Sequence, residues 1–322
     1  MEEYARKQAT GTLAEALSGS APEQPLEICL EPRVYEEKVL VRHRDLILSG
    51  AGEKTVLLWH DGAAAMMEDG FRRGTFRSYT AFFIGERLVL RDLTIRNDAG
   101  DGRAAGQAVA AAIDCASVYA ENCVFDSCQD TLFLAPLPDE ERQPRGFEGP
   151  TEHTERRRTK QYFRHCRIIG DVDFVFGGAD AVFEECEIVC RNRGEQVNGY
   201  IAAPSGRGSD TGFLFLRCRI TAEEGTAPGS YYLGRPWRPE GRAAYIDCIC
   251  DGHISPARFS GWRERGVIEE EAAFAECGTR RPDGAPADLN GKNPRVTVPD
   301  ARGREELLRR AAEIYFAVSS SV

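Results

Sequence analysis

Phe163-Arg-His-Cys166-Arg-Ile168 and Phe183-Glu-Glu-Cys186-Glu-Ile188 are two copies of one pattern. A large apolar residue is followed three places on by cysteine and two further by isoleucine. The pattern returns as Phe215, Cys218, Ile220 and as Tyr245, Cys248, Cys250, and earlier, with substitutions, as Leu90, Leu93, Ile95 and Ala120, Cys123, Phe125. The last step of each copy alternates apolar with polar, the period of a half-buried strand. Copies lie about 20 to about 43 residues apart, so short strands are joined by loops of unequal length. Recurring strands with no helical pattern between them predict a solenoid whose coils stack their inward residues on one another. The cysteines then read as small buried hydrophobes in an internal ladder. A β-sandwich would want regular Asn-Gly hairpin turns, which are sparse here.

Outward from this core the pattern changes at both ends. Residues 10–18 predict a short capping helix ahead of a first strand at Leu26 to Leu30. After about residue 264 the repeat stops, and Leu307, Leu308, Ala311, Ile314 and Tyr315 fit one face of a helix packed along the solenoid. One domain spanning 1–322 is expected, with a core at about 10–263 and a C-terminal extension at 264–322. A long interruption, Pro136 to Thr159, falls inside the repeat; such loops are functional or unstructured.

Composition narrows the function. With 42% hydrophobic residues the chain has material for a sizeable core, and its formal charge of −10 argues against a general nucleic-acid binder. The same charge repels an acidic substrate at long range, so a basic patch would have to compensate near a site. No run reaches the roughly 18 apolar residues that span a bilayer. The opening Met1-Glu-Glu-Tyr4 has acids where a secretory signal needs cations. That opening and an odd count of 11 cysteines lead to a cytoplasmic expectation, or a secreted one if a leader has been removed. The five histidines (His43, His60, His153, His165, His253) lack ligand spacing, so neither metal nor cofactor is expected.

Two aspartates stand where a lone carboxylate is expensive. Asp130 lies in Cys128-Gln-Asp-Thr-Leu-Phe133, and Asp173 in Gly170-Asp-Val-Asp-Phe-Val-Phe-Gly177, both strand-like and apolar. Each could be a structural aspartate satisfied by backbone amides in a turn between coils, or part of a catalytic pair. With Gly106-Gln-Ala-Val109 before them and Leu233-Gly-Arg-Pro-Trp237 after, these stretches resemble the pectin methylesterase family, in the family's order and with plausible spacing. Weaker similarity runs from about residue 10 to about 263, including Val34-Tyr-Glu-Glu-Lys-Val39 and Leu93-Thr-Ile-Arg-Asn97. The family usually has glycine where Arg33 stands here.

The resemblance implies a right-handed, single-stranded parallel β-helix and a carboxylic ester hydrolase acting on methyl-esterified pectin or oligogalacturonide, without a metal and as a monomer. Carried over position by position, it makes Asp173 the nucleophile, held charged and aimed by Arg235. Asp130 becomes the general acid and then base, while Gln107 and Gln129 bind the oxyanion. Trp237, Phe176 and Phe133 match positions lining the sugar groove, with Val172 as a further contact. Phe133 and Phe176 read equally well as core packing. The basic stretch of the interruption (Arg142, Arg145, Arg156, Arg157, Arg158) is either a flap that binds galacturonate carboxylates or a solvated loop. A deacetylase or thioesterase on the same aspartates, or a non-catalytic carbohydrate-binding solenoid, are the alternatives; a lyase would want calcium-binding acids and a glycosidase differently spaced ones.

Overall fold

The computed structural model describes residues 4–206 and 211–319. Its strands are parallel and form three faces of a right-handed coil, the hand that parallel crossovers take. One coil is Lys160–Arg164 on the first face, Arg167–Gly170 on the second and Val172–Gly177 on the third, after which Asp180–Glu184 returns to the first. The long strands Ala81–Arg91 and Ala111–Glu121 run through the corner between third and first faces, so these two faces form one continuous sheet.

The repeated pattern makes the corner between first and second faces. At Asn122, His165, Glu185, Arg217 and Asp247 the backbone turns left-handed, with φ of 51° to 54°. The next residue in each case is a buried cysteine. These thiols do more than fill space. Sγ of Cys186, Cys218 and Cys248 donates to the carbonyls of Phe163, Phe183 and Phe215 one coil back, at 3.2 to 3.4 Å. These carbonyls lie near the ends of paired strands, and a small buried side chain with a weak donor can share their second lone pair without bringing in a charge. All 11 cysteines are free thiols.

In-register stacking builds the interior. Phe163, Phe183, Phe215 and Tyr245 pair across successive strands, and their rings stack at 4.9, 4.7 and 4.3 Å with planes within 13°. Ile168, Ile188 and Ile220 do the same on the second face.

The ends differ in one respect from expectation. The capping helix is Leu13–Leu17, with a Thr12–Glu15 capping box, but a strand at Ala5–Ala9 precedes it and pairs with Leu26–Leu30. That strand closes an open end of the solenoid, so its Arg6-Lys7-Gln8 face stays wet and carries no apolar alternation. The C-terminal helix, Ala301–Ser319, buries Ala311, Ile314 and Val318 and sets Tyr315 against Tyr162 on the outside of the first face.

Candidate active site

The third face positions the carboxylates. Leu132 pairs with Val175 and Phe133 with Phe176. Asp130 and Asp173 each stand two residues before the first of these pairs, so the same register lays them side by side on adjacent coils, about one strand spacing (about 4.8 Å) apart. Both adopt left-handed backbone, with φ of 62° and 52°. The Asp130 amide donates to the Val172 carbonyl at 3.0 Å, tying one turn to the other. Gly177 ends the strand with φ of 127°, where a Cβ would stand 2.0 Å from the Leu134 carbonyl oxygen.

The two carboxylates differ in company. Arg235, two coils from Asp173, gives it a bidentate pair, Nε to Oδ1 at 2.9 Å and a terminal nitrogen to Oδ2 at 2.7 Å. The guanidinium lies 4.0 Å from the Tyr200 ring and 4.3 Å from the Trp262 ring, which hold its plane. Among the described residues Asp130 has no such partner. Burial, and then the negative charge of Asp173, push its carboxyl well above the usual range, against the opposing pull of Arg235. One acid is therefore held by a fork of hydrogen bonds while its neighbour is pushed towards its neutral form. This is the division of labour that acid and nucleophile need.

A cleft of about 260 Å³ opens over the pair. Gln107 and Gln129 also line it, joined by a parallel bridge between their backbones. Phe176 and Trp237 form an aromatic wall with ring centres 5.8 Å apart. Seven of the nine sequence-derived residues thus line one cleft.

Phe133 and Val172 do not. Phe133 faces outward beside Phe176, but Phe76 lies edge-on over it at 4.8 Å and leaves it no exposed surface. It backs the wall instead of touching a sugar. Val172 is also buried, its amide held by Asp171 Oδ1 at 2.6 Å, and its part is to shape the turn before Asp173.

The interruption divides in two. Arg156 binds the carbonyls of Thr151, Glu152 and Thr154, Arg157 binds Glu86 and the Gly85 carbonyl, and neither lines the cleft. Arg145 pairs with Glu148 and Asp69 and is likewise spoken for. Arg142, by contrast, lines the cleft with Gln143 and Phe147. Trp262 and Arg238 also reach it; no sequence periodicity marks them, though Arg238 directly follows the Gly-Arg-Pro-Trp motif. Among the described residues no group of three or more His, Cys, Asp or Glu side chains is placed to hold a metal ion.

Comparison with known proteins identifies the family. The pectinesterase family model matches residues 6–139 and 151–282. Pectinesterase 31 of Arabidopsis thaliana is 34% identical over 260 residues, covering 77% of this chain and 71% of that protein. Pectinesterase 2 of Citrus sinensis is 31% identical over 245 residues, covering 74% of this chain but 41% of that protein. The structure of the pectin methylesterase from Yersinia enterocolitica superposes with a TM-score of 0.72 at 26% identity, over 92% of this chain and 96% of that one. A pectin methylesterase in complex with a hexasaccharide shares the fold at 23% identity, with a TM-score of 0.74 over 95% of this chain and 96% of that one. The chain belongs to the pectinesterase family.

Proposed function

We propose that this chain removes methyl esters from the galacturonate units of pectin or oligogalacturonides, with Asp173 as nucleophile and Asp130 as acid, then base. The observation that carries the reading is the asymmetry of two adjacent buried carboxylates, one forked by Arg235 and one pushed towards its neutral form. A charged Asp173 oxygen attacks the ester carbonyl carbon. The oxygen that becomes negative is met by amide donors from Gln107 and Gln129, which stand in the same cleft. As the carbon–methoxy bond breaks, the departing oxygen takes the proton of Asp130 and leaves as methanol. Asp130, now a carboxylate, accepts a proton from water, whose oxygen attacks the mixed anhydride and releases Asp173 and the galacturonate acid. Ester and water are consumed, acid and methanol appear, and both aspartates end as they began.

The surroundings serve this sequence. Apolar faces at Phe176 and Trp237 suit the flat side of a pyranose ring and exclude water from the anhydride. The test is methanol release from methyl-esterified oligogalacturonides by the wild type and by Asp173→Asn, with circular dichroism to check folding. Turnover by the wild type and none above background by the folded variant is expected. Retained turnover in the variant would remove Asp173 from the role of nucleophile. A wild type that releases no methanol at any chain length would refute the substrate.

A further inference from the structure

A segment outside the family match is laid along the cleft. The pectinesterase model leaves residues 140–150 unmatched between its two stretches, and Arg142, Gln143, Gly146 and Phe147 from this segment line the cleft. The chain leaves the third face after Leu132–Leu134 and reaches Trp237, just past Tyr231–Gly234, three strands further along the coil axis. At one strand spacing per step that is about 14 Å, on a path that runs by the coil of Asp173. Trp262 lies beyond, after Phe259, which bridges to Gly234.

Both ends of the segment are fastened. Arg238 donates to the Glu140 carbonyl at 2.7 Å, Arg142 donates to the Trp237 carbonyl, and the Arg142 guanidinium lies 4.7 Å from the Trp262 ring. At the other end Glu148 pairs with Arg77 at 2.8 Å, and the Pro150 carbonyl accepts from Arg42 at 3.2 Å. Phe147 is buried between these anchors, edge-on to Trp237 at 6.2 Å and to Phe76 at 6.1 Å. The Trp262 ring is also 4.3 Å from the Arg235 guanidinium, so Arg142, Trp262 and Arg235 make one continuous contact on the side of Asp173 away from Asp130. A sugar chain lying along the third face would have to pass through that contact. The cleft itself, at about 260 Å³, is smaller than the roughly 300–1,000 Å³ that a drug-sized ligand takes, which leaves room for about one sugar and its ester.

We propose that Arg142 and Trp262 bar one end of the cleft, so that the enzyme takes the terminal methyl-esterified unit of a galacturonate chain and not an interior one. The inference rests on the esterase reading given above. It makes short oligomers, rich in ends, the substrate, and a chain-cutting reaction must supply them. It also limits turnover on each chain, because the second unit cannot reach Asp173 while the first stands against the bar.

The test counts methanol per chain from fully methyl-esterified trigalacturonate and locates the first lost ester by fragment mass spectrometry. The wild type should release about one methanol per chain, from a terminal unit. Loss of the interior ester at a comparable rate overturns the proposal. Arg142→Gly removes the side chain that meets Trp262, and should raise interior loss about tenfold relative to terminal loss. An unchanged pattern in that variant overturns the proposal as well. Calorimetry with Asp173→Asn needs no turnover: about one protein should bind per chain, whether the esterified oligomer has about three units or about twelve. Several proteins along the longer chain overturn the proposal. If the wild type releases no methanol, the esterase reading fails, and this stoichiometry still decides whether the cleft is barred.

Discussion

Arg235→Lys asks whether the site depends on positive charge or on a fork. Lysine keeps the charge but offers one compact ammonium where the guanidinium makes two parallel bonds, at 2.9 and 2.7 Å, to a carboxylate whose side chain is 7% exposed. Losing one of two charge-assisted bonds removes about 1.5–3 kcal/mol. Losing the flat contact with Tyr200 and Trp262 removes about 0.5–1 kcal/mol more. The total of about 2–4 kcal/mol corresponds to a fall in kcat/KM of roughly 30-fold to 10³-fold if the fork holds Asp173 in attacking geometry. The assay is methanol release, with urea denaturation on the same samples. The same substitution made on top of Asp173→Asn should cost less stability, by about 1–2 kcal/mol, because the fork has already lost its anion. Activity within threefold of wild type, or an equal stability cost in both backgrounds, would refute the argument that bidentate geometry is what Arg235 contributes.

Asp130→Asn should lower kcat by about 10²-fold to 10⁴-fold, the usual contribution of a positioned acid–base group. It should also change the pH dependence of stability in a definite direction. The folded Asp130 carboxyl is raised above its unfolded value, so wild-type stability is fully present below the ordinary carboxylate range and is lost as pH rises through the raised value. The asparagine has no proton to lose. Its denaturation midpoint should therefore gain on that of wild type as pH rises from the ordinary carboxylate range towards the raised value, relative to their difference in acid; parallel curves would contradict it. Cys218→Ala removes the thiol that donates to the Phe183 carbonyl at 3.2 Å in a fully buried corner, and should cost about 1–2 kcal/mol in urea denaturation. A cost near zero would mean that the thiol ladder is packing alone.

The solenoid was legible because its coils repeat the same physical problem. Each corner from Asn122 to Asp247 needs a left-handed residue, then a small buried one, then an inward strand, and Phe-x-x-Cys-x-Ile records that need. The carboxylate pair was legible in a way the local reading passed over. Asp130-Thr-Leu-Phe133 and Asp173-Phe-Val-Phe176 are copies of one pattern, and the pairing of Leu132 with Val175 makes the two aspartates neighbours. Phe133 and Phe176 illustrate the limit. They occupy equivalent positions in that pattern, yet one lines the cleft and the other lies beneath Phe76. The difference comes from a distant loop that sets Phe76 edge-on to Phe133 at 4.8 Å and farther, at 6.2 Å, from Phe176. Trp262 and Phe147 were hidden for the same reason, since irregular segments carry no period and reach the cleft only through tertiary packing.

The corners explain why a regular scaffold holds so costly a pair. Between first and second faces, the left-handed residue throws its side chain out of the coil, and at Asn122, His165, Glu185 and Arg217 that side chain is exposed. Asp130 and Asp173 use the same device where the chain enters the third face: each is followed by a buried residue, Thr131 or Phe174, and each projects outward. An aspartate at such a position tolerates left-handed backbone better than most residues. What separates these two from the wet corners is the wall raised around them by Phe176, Trp237, Trp262 and the segment bearing Arg142. The coil supplies outward carboxylates at fixed register, and the loops withdraw them from water. Withdrawal raises Asp130 and makes Arg235 indispensable to Asp173, so the chemistry arises from covering a corner that elsewhere in the molecule is left open.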